Sequence, residues 1–153
     1  MSVALKSTAF SEGGAIPRKH TCDGADLSPE LTWSGVSPAA HSLALIADDP
    51  DAPRGTWTHW LIWNIPAHFT SLPEGVPTSE VIESGAAQGK NDFNRIGYGG
   101  PCPPPGKAHR YFFKLYVLNA ALTLPAGATR KELDHAMRGH ILADAQWMGT
   151  YKR

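Results

Sequence analysis

Four side chains that carry acid–base or hydrogen-bonding chemistry lie in or beside strongly apolar segments of the chain. His109 and Tyr111 begin one such segment, His59 lies within a second, and Asp49 follows a third. Two imidazoles and a phenol can donate hydrogen bonds to a small anion. A nearby carboxylate would accept a proton from His59, which favours the charged form of that ring, or it would receive the amine of a zwitterionic ligand. We therefore consider the four residues together as a candidate anion-binding site.

A proline-rich loop over 99–106 precedes His109 and would form one wall of such a site. Its proline rings fix φ and restrict the preceding residues, so the loop is stiff, and its glycines allow tight turns. The backbone amides of Gly99 and Gly100 would add donors in an anion-binding nest. The loop is therefore predicted to hold the polar start of the following strand in one place.

Strands and turns are predicted to position these residues. The 15 glycines and 13 prolines are spread along the chain with short apolar runs between them, a pattern typical of strands. The strands are predicted over 42–47, 57–65, 111–118 and 141–147. One helix begins after Thr129, which forms a capping box with Glu132, and stops near Gly139. The stretch 66–105 is predicted to be mostly irregular, so the fold class is mainly β with one late helix on the sheet.

Strand alternation assigns the candidate residues to faces, because side chains two positions apart point the same way. His109 falls on the apolar face of its strand. Asp49 continues the apolar face formed by Leu43, Leu45 and Ala47 in the strand before it. Strict alternation places His59 on the face of Trp57, Leu61 and Trp63. The site forms only if these faces meet, and that is our hypothesis.

Composition excludes several classes of protein. The 153 residues are predicted to form one domain, 1–153, and their 14 basic and 14 acidic side chains argue against nucleic-acid binding. No apolar run reaches membrane-spanning length and the amino terminus lacks a signal-peptide pattern, so we expect a cytoplasmic protein with no transmembrane segment. In a reducing cytosol Cys22 and Cys102 are expected as free thiols, although their turn-rich loops could meet in a disulfide.

Several motifs carry a resemblance to a known family. The segments 49–53 (DPDAP) and 58–60 (THW) precede the loop 99–106 (GGPCPPPG) and the tripeptide HRY at 109–111. Together they resemble the phosphatidylethanolamine-binding protein (PEBP) family, most closely its bacterial, Raf kinase inhibitor-like branch. Further similar segments extend the likeness to nearly the whole chain.

The resemblance implies a Greek-key fold of two antiparallel sheets with one short helix near the carboxyl terminus. It also implies a small pocket that binds anions such as phosphate, acetate and the phosphoethanolamine head group of a lipid. It assigns to that pocket Asp49, His59, Pro104, His109 and Tyr111, with the backbone of Gly100 and Pro101 at its rim. We expect no cofactor, no metal and no catalytic residue. A homodimer and the modulation of a kinase or protease partner are further expectations.

Two other functions are open at this point. Asp49, His59 and His109 would form either a two-histidine, one-carboxylate metal site or the acid–base set of a hydrolase. Against an enzyme, the sequence has no serine in a nucleophile elbow and no closely spaced histidine pair of the metalloprotease type. A protein-interaction module without a ligand is the third alternative. A single histidine in an apolar strand is more often a core residue than a ligand, so the prediction depends on the combination of motifs.

Overall fold

Eight strands in two antiparallel sheets dominate the structure, a computed structural model that describes residues 2–153. The strands are β1 (Ala4–Lys6), β2 (Leu31–Ser34), β3 (Ser42–Asp49), β4 (Trp57–Pro66), β5 (Ser71–Leu72), β6 (Ala87–Gln88), β7 (His109–Leu118) and β8 (Ile141–Tyr151). The smaller sheet has the order β1-β2-β5 and the larger sheet the order β6-β4-β3-β7-β8. Residues 2–153 also contain one α-helix, α1 (Arg130–Met137), and one 3-10 turn (Arg18–His20). The predicted mainly β class, with two antiparallel sheets and one helix, is confirmed.

β3 is the central strand of the larger sheet, and all eight of its residues are buried. It pairs antiparallel with β4 on one side and with β7 on the other. Leu43 and Leu45 face the core between the two sheets, whereas Ala44 and Ile46 face a second core beneath α1. Both faces are covered, which explains the almost continuous apolar sequence of the strand. Each fully buried leucine or isoleucine stabilises the fold by about 1.5–3 kcal/mol.

A β-bulge in β4 changes the direction of one candidate site residue. Ala47 of β3 pairs with Trp60 and the next residue, Asp48, pairs with Thr58, so His59 is an extra residue on β4. An extra residue of this kind bends the strand and shifts the alternation of its side chains. As a result His59 and Trp60, although consecutive, both point toward the space between the two sheets.

The bulge overturns the predicted face of His59. Leu61 and Trp63 lie in the core beneath α1. The His59 ring instead stands edge-on to Tyr111, with 5.2 Å between ring centroids, on the side between the sheets. The predicted face is therefore wrong for Leu61 and Trp63, because a shift of one position moves a side chain to the opposite face. Trp57, the third residue predicted on that face, does line the same pocket as His59. The correction brings His59 to the side of the other candidate residues.

The helix α1 covers the outer face of the larger sheet through Leu133 and Met137, which are both buried. Its first turn has the predicted capping box. The Glu132 amide donates to Thr129 Oγ1 at 3.3 Å, and the Thr129 amide donates to Glu132 Oε1 at 2.9 Å. No helix within residues 2–153 is long and apolar enough to cross a membrane.

Two cations tie α1 to the sheet at one buried carboxylate. Asp48 of β3 accepts hydrogen bonds from Lys114 Nζ in β7 and from Arg130 Nη1 in α1, each at 3.0 Å. A buried carboxylate without such partners would carry a large desolvation cost. The two pairs therefore join three elements on the helix side of β3.

The remaining strand predictions are confirmed where hydrophobic periodicity is strong. The strands predicted over 42–47, 57–65, 111–118 and 141–147 correspond to β3, β4, β7 and β8, with longer bounds. The sequence pattern does not reveal β1, β2, β5 or β6, because strands of two to four residues are too short for alternation to be recognised. β5 and β6 lie in the stretch 66–105, which is otherwise irregular as predicted.

We expect Thr129→Ala to lower the free energy of unfolding by about 1 kcal/mol, because the Glu132 amide loses its acceptor. Thr129→Ser keeps the hydroxyl and is the matched control, with little expected change. Urea denaturation of the three proteins measures the difference. An equal loss in the alanine and serine variants would contradict the capping role.

Candidate functional site

A pocket of about 370 Å³ opens at the edge of the larger sheet, where β3 ends and β4 and β7 begin. β3 runs antiparallel to both neighbours, so its last residues lie beside their first residues. The pocket is lined by Asp49, Ala52, Pro53, Trp57, His59, Phe93, Cys102, Pro103, Pro104, His109 and Tyr111. Five of the seven residues predicted from the sequence, all except Gly100 and Pro101, are among them.

Asp49 and His109 form a buried hydrogen-bonded pair in the pocket wall. His109 Nδ1 donates to Asp49 Oδ2 at 2.7 Å, and the side chains are 10% and 4% exposed. The other carboxylate oxygen, Oδ1, accepts the Asp51 amide at 2.7 Å. The pair fixes the orientation of the His109 ring and leaves Nε2 for a ligand. The prediction that Asp49 accepts a proton from His59 is wrong, because its imidazole partner is His109.

His59 is held by the backbone of the proline-rich loop. Its Nδ1 donates to the Gly99 carbonyl oxygen at 2.6 Å, and the side chain is buried. Burial lowers the pKa of His59, although the Gly99 hydrogen bond and the charge of Asp49 act in the opposite direction. The ring is therefore neutral at neutral pH, with Nε2 as an acceptor. The predicted preference of His59 for its charged form is wrong, since desolvation is the larger effect.

Two buried donors of the pocket wall have no hydrogen-bond partner of good geometry within residues 2–153. They are the Tyr111 hydroxyl and the Trp57 Nε1–H. Burial, reinforced by the charge of Asp49 and by the nearness of its carboxylate to the phenol, raises the pKa of Tyr111, so the phenol stays protonated and able to donate. That approach to Asp49 does not reach hydrogen-bond geometry. Buried donors without partners are uncommon in folded proteins. A ligand with oxygen acceptors would supply a partner to the Tyr111 hydroxyl.

Gly100 and Pro101 are predicted at the rim of the pocket, but neither lines it. The Gly100 amide donates to Asp26 Oδ1 at 2.9 Å, and the Gly99 amide donates to the His59 carbonyl oxygen at 2.9 Å. The predicted nest of free amides is therefore wrong. Close packing explains the glycine at position 100, because a Cβ there would collide with a carbonyl oxygen of the 3-10 turn.

Apolar residues surround the polar groups of the pocket. We call this set the apolar collar; it consists of Ala52, Pro53, Trp57, Phe93, Pro103 and Pro104. Phe93 stands edge-on to both Trp57 and His59, with 5.4 Å between ring centroids in each case. Sequence reasoning missed Phe93 because it lies in the irregular stretch 66–105, where no periodic pattern marks it. The collar lowers the local dielectric constant and so strengthens polar contacts inside the pocket.

Cys22 and Cys102 form a disulfide beside the pocket, of which Cys102 is a lining residue. The expectation of two free thiols is therefore wrong. The bond joins residues 80 positions apart, and the Cys22 amide donates to the Pro101 carbonyl oxygen at 3.1 Å beside it. Backbone contacts thus hold the two loops together at the point where the sulfurs meet.

A bidentate ion pair braces the turn that follows β3. Arg110 Nε and Nη2 donate to the two carboxylate oxygens of Asp51 at 2.9 and 2.8 Å. Chiefly through this hydrogen bonding, Arg110 lowers the pKa of Asp51 to about 2. The ion pair fixes the position of Asp51. The backbone amide of Asp51 in turn donates to the Asp49 carboxylate. Arg110 is engaged there and is not a lining residue of the pocket.

The two-histidine, one-carboxylate metal site considered from the sequence is not formed. Within residues 2–153, no group of three or more histidine, cysteine, aspartate or glutamate side chains is arranged to hold a metal ion. Both oxygens of Asp49 accept hydrogen bonds from the protein, and one ring nitrogen of each pocket histidine is engaged.

The sequence matches a known family over almost its whole length. A sequence model of the family described as "Phosphatidylethanolamine-binding protein" matches residues 6–152. A UPF0098 protein of Methanothermobacter thermautotrophicus is 51% identical over 149 residues, which cover 97% of this chain and 98% of the relative.

Two solved structures share the fold. The PEBP homologue CT736 from Chlamydia trachomatis matches with a TM-score of 0.91 and 42% identity, over 99% of this chain and 98% of its own. YbcL from E. coli, described as a member of the mammalian PEBP family, matches with a TM-score of 0.92 and 32% identity, over 100% and 99% of the two chains. Both matches therefore extend over both sheets and over the segments that line the pocket.

We expect His59 to make the protein less stable as the pH falls. Its folded-state pKa lies below the ordinary value of 6.5, so in mild acid the unfolded chain binds a proton that the folded chain does not. The free energy of unfolding therefore decreases as the pH falls below about 6.5. His59→Gln keeps a donor for the Gly99 carbonyl but removes this titration. Its unfolding free energy, measured with urea between about pH 8 and pH 5, should decrease less than that of the wild type. Parallel curves for the two proteins would contradict the burial of a neutral ring.

Proposed function

Because the chain belongs to the PEBP family, we propose that it is a binding protein whose pocket takes a small anion, such as phosphate or the phosphorylated head group of a lipid. One observation carries the proposal: the pocket gathers the unpaired Tyr111 hydroxyl and two imidazoles, each held through Nδ1 so that Nε2 is left for a ligand. His59 and His109 are thus oriented before any ligand arrives, which reduces the cost of ordering them on binding.

Positive charge in the pocket depends on the histidines. No lysine or arginine is among the lining residues, and Asp49 contributes a negative charge. An anion close to His59 favours the protonated ring and so opposes the effect of burial. Binding of an anion is therefore coupled to the uptake of a proton, within an apolar collar that strengthens the interaction.

The proposed ligand is recognised by its anionic group rather than by an amine. Both carboxylate oxygens of Asp49 already accept hydrogen bonds, from His109 and from the Asp51 amide. Asp49 is therefore a positioning residue for His109, and its side chain is only 4% exposed, which leaves little of the carboxylate for an ammonium group to reach. On this basis inorganic phosphate and phosphoethanolamine are ligands of comparable strength.

Binding without catalysis is the function that we propose. The pocket lining offers no serine, threonine or lysine as a nucleophile, and its cysteine is bound in a disulfide. The relatives are named by family alone, with no activity. Modulation of a kinase or protease, a homodimer and a cytoplasmic location stay predictions from the resemblance and the sequence.

Titration with phosphate, phosphoethanolamine or acetate, followed by NMR, is expected to give saturable shifts at His59, His109 and Tyr111. Tyr111→Phe removes one hydrogen bond to a charged acceptor and should weaken phosphate binding about tenfold. Tyr116→Phe, on the helix side of the same strand, is the matched control and should bind as the wild type does. Shifts confined to other surfaces, or equal affinities in the two phenylalanine variants, would overturn the assignment of the pocket.

Sulfate is the probe for the coupled proton, because its charge stays constant over the range in which histidines titrate. Its affinity should increase as the pH falls from about 8 toward mild acid, since the bound anion stabilises the protonated form of His59. Calorimetry in two buffers of different ionisation enthalpy measures the proton taken up. Binding that is independent of pH, with no proton uptake, would exclude His59 from the anion contact.

A further inference from the structure

The disulfide between Cys22 and Cys102 is exposed to solvent and also lies in the wall of the pocket. Both cysteines are exposed, and Cys102 lines the pocket together with the next two residues, Pro103 and Pro104. Exposed disulfides are the ones that external thiols can reach, in contrast to structural disulfides buried in a core. The bond is thus accessible from outside and adjacent to the proposed ligand.

The two sulfurs have different electrostatic surroundings. Arg153 places Nη1 3.7 Å from Cys102 Sγ, and its Nη2 lies 3.2 Å from Asp23 Oδ1. Among residues 2–153, Cys102 Sγ is the sulfur of the pair that contacts a guanidinium. A guanidinium stabilises a neighbouring thiolate. Cys102 is therefore the better leaving group of the pair.

We propose that this disulfide is a thiol-exchange site that sets the affinity of the pocket, an inference that rests on the binding function proposed above. The thiolate of an external thiol, glutathione or a protein dithiol, attacks Cys22 Sγ. A new sulfur–sulfur bond forms there, and the electron pair of the broken bond leaves on Cys102 Sγ. A second external thiolate then attacks the outer sulfur of the mixed disulfide and releases the Cys22 thiolate, and the two protein thiolates equilibrate with protons from water. Two electrons pass to the protein, and the two external thiols become a disulfide.

Reduction removes the covalent attachment of the pocket wall. The proline-rich loop then keeps only hydrogen bonds around this point. The Pro101 carbonyl oxygen accepts the Cys22 amide at 3.1 Å, and the Pro103 carbonyl oxygen accepts Arg153 Nη1 at 3.5 Å. In the reduced protein Pro103 and Pro104 are less firmly held than in the oxidised protein. Binding of a ligand must then fix the conformation of these residues again, which costs conformational entropy. The reduced protein therefore has the same site with a lower affinity.

The affinity is tested by calorimetric titration of sulfate into the oxidised protein and into the protein reduced with dithiothreitol. We expect reduction to weaken binding about fivefold. The variant Cys22→Ser/Cys102→Ser should bind like the reduced wild type and should not respond to dithiothreitol. Equal affinities of the oxidised and reduced proteins would overturn the control of the pocket by the disulfide.

The exchange itself is tested without any ligand. On reaction with glutathione under native conditions, mass spectrometry of peptides should find the adduct on Cys22, with Cys102 as the free thiol. The substitution Arg153→Gln should slow the reaction with glutathione several-fold, whereas the control substitution Lys152→Gln at the neighbouring position should not. An adduct on Cys102, or a folded protein that resists reduction, would overturn the exchange. If the oxidised protein binds no anion, the proposed function fails, and the claim that the disulfide sets the affinity fails with it. The glutathione adduct on Cys22 and the reaction rates of the two variants still test the thiol exchange separately.

Discussion

Two consecutive carboxylates buried at the end of the central strand determine much of what surrounds them. Asp48 and Asp49 point to opposite faces of β3, and each is at most 3% exposed. A buried carboxylate is costly unless donors surround it. On one face Lys114 and Arg130 meet Asp48 and attach the helix to the sheet. On the other face His109 meets Asp49, and this contact orients the ring at the pocket. One short acidic segment therefore organises the helix on one side and the candidate site on the other.

The pocket was predictable from the sequence as a set of residues but not as a geometry. The segments around Asp49, His59 and His109 show which residue types come together, and the proline-rich loop shows what encloses them. Which imidazole pairs with the carboxylate depends on the bulge in β4, a shift of one residue in register. Single-residue register shifts leave no signature in the alternation of apolar side chains, since tertiary pairing decides them. The direction of the His59 ring, toward Tyr111 and the Gly99 carbonyl oxygen, follows from the same bulge.

The long strands and the helix were predictable from the sequence, because each of them repeats its hydrophobic pattern several times. β3, β4, β7 and α1 have enough residues for periodicity and capping to identify them. The short strands of the smaller sheet have too few residues to show such a pattern. Their stability comes from pairing with neighbouring strands rather than from their own sequence. The pairing of Cys22 with Cys102 is likewise set by backbone contacts between two loops, here the hydrogen bond to Pro101. Spacing along the chain carries no information about such a contact.

The pocket is assembled from segments that lie far apart in sequence. The contact between Asp49 and His109 joins positions 60 residues apart, and that between His59 and Gly99 joins positions 40 apart. Each contact closes a long loop at a cost in chain entropy, so the unfolded chain does not hold these residues together. The pocket therefore exists in the native state, and a ligand of the pocket binds that state. Such a ligand adds RT ln(1 + [L]/Kd) to the free energy of unfolding. For the anion proposed above, the cellular concentration would then be one of the quantities that decide how much of the protein survives proteolysis.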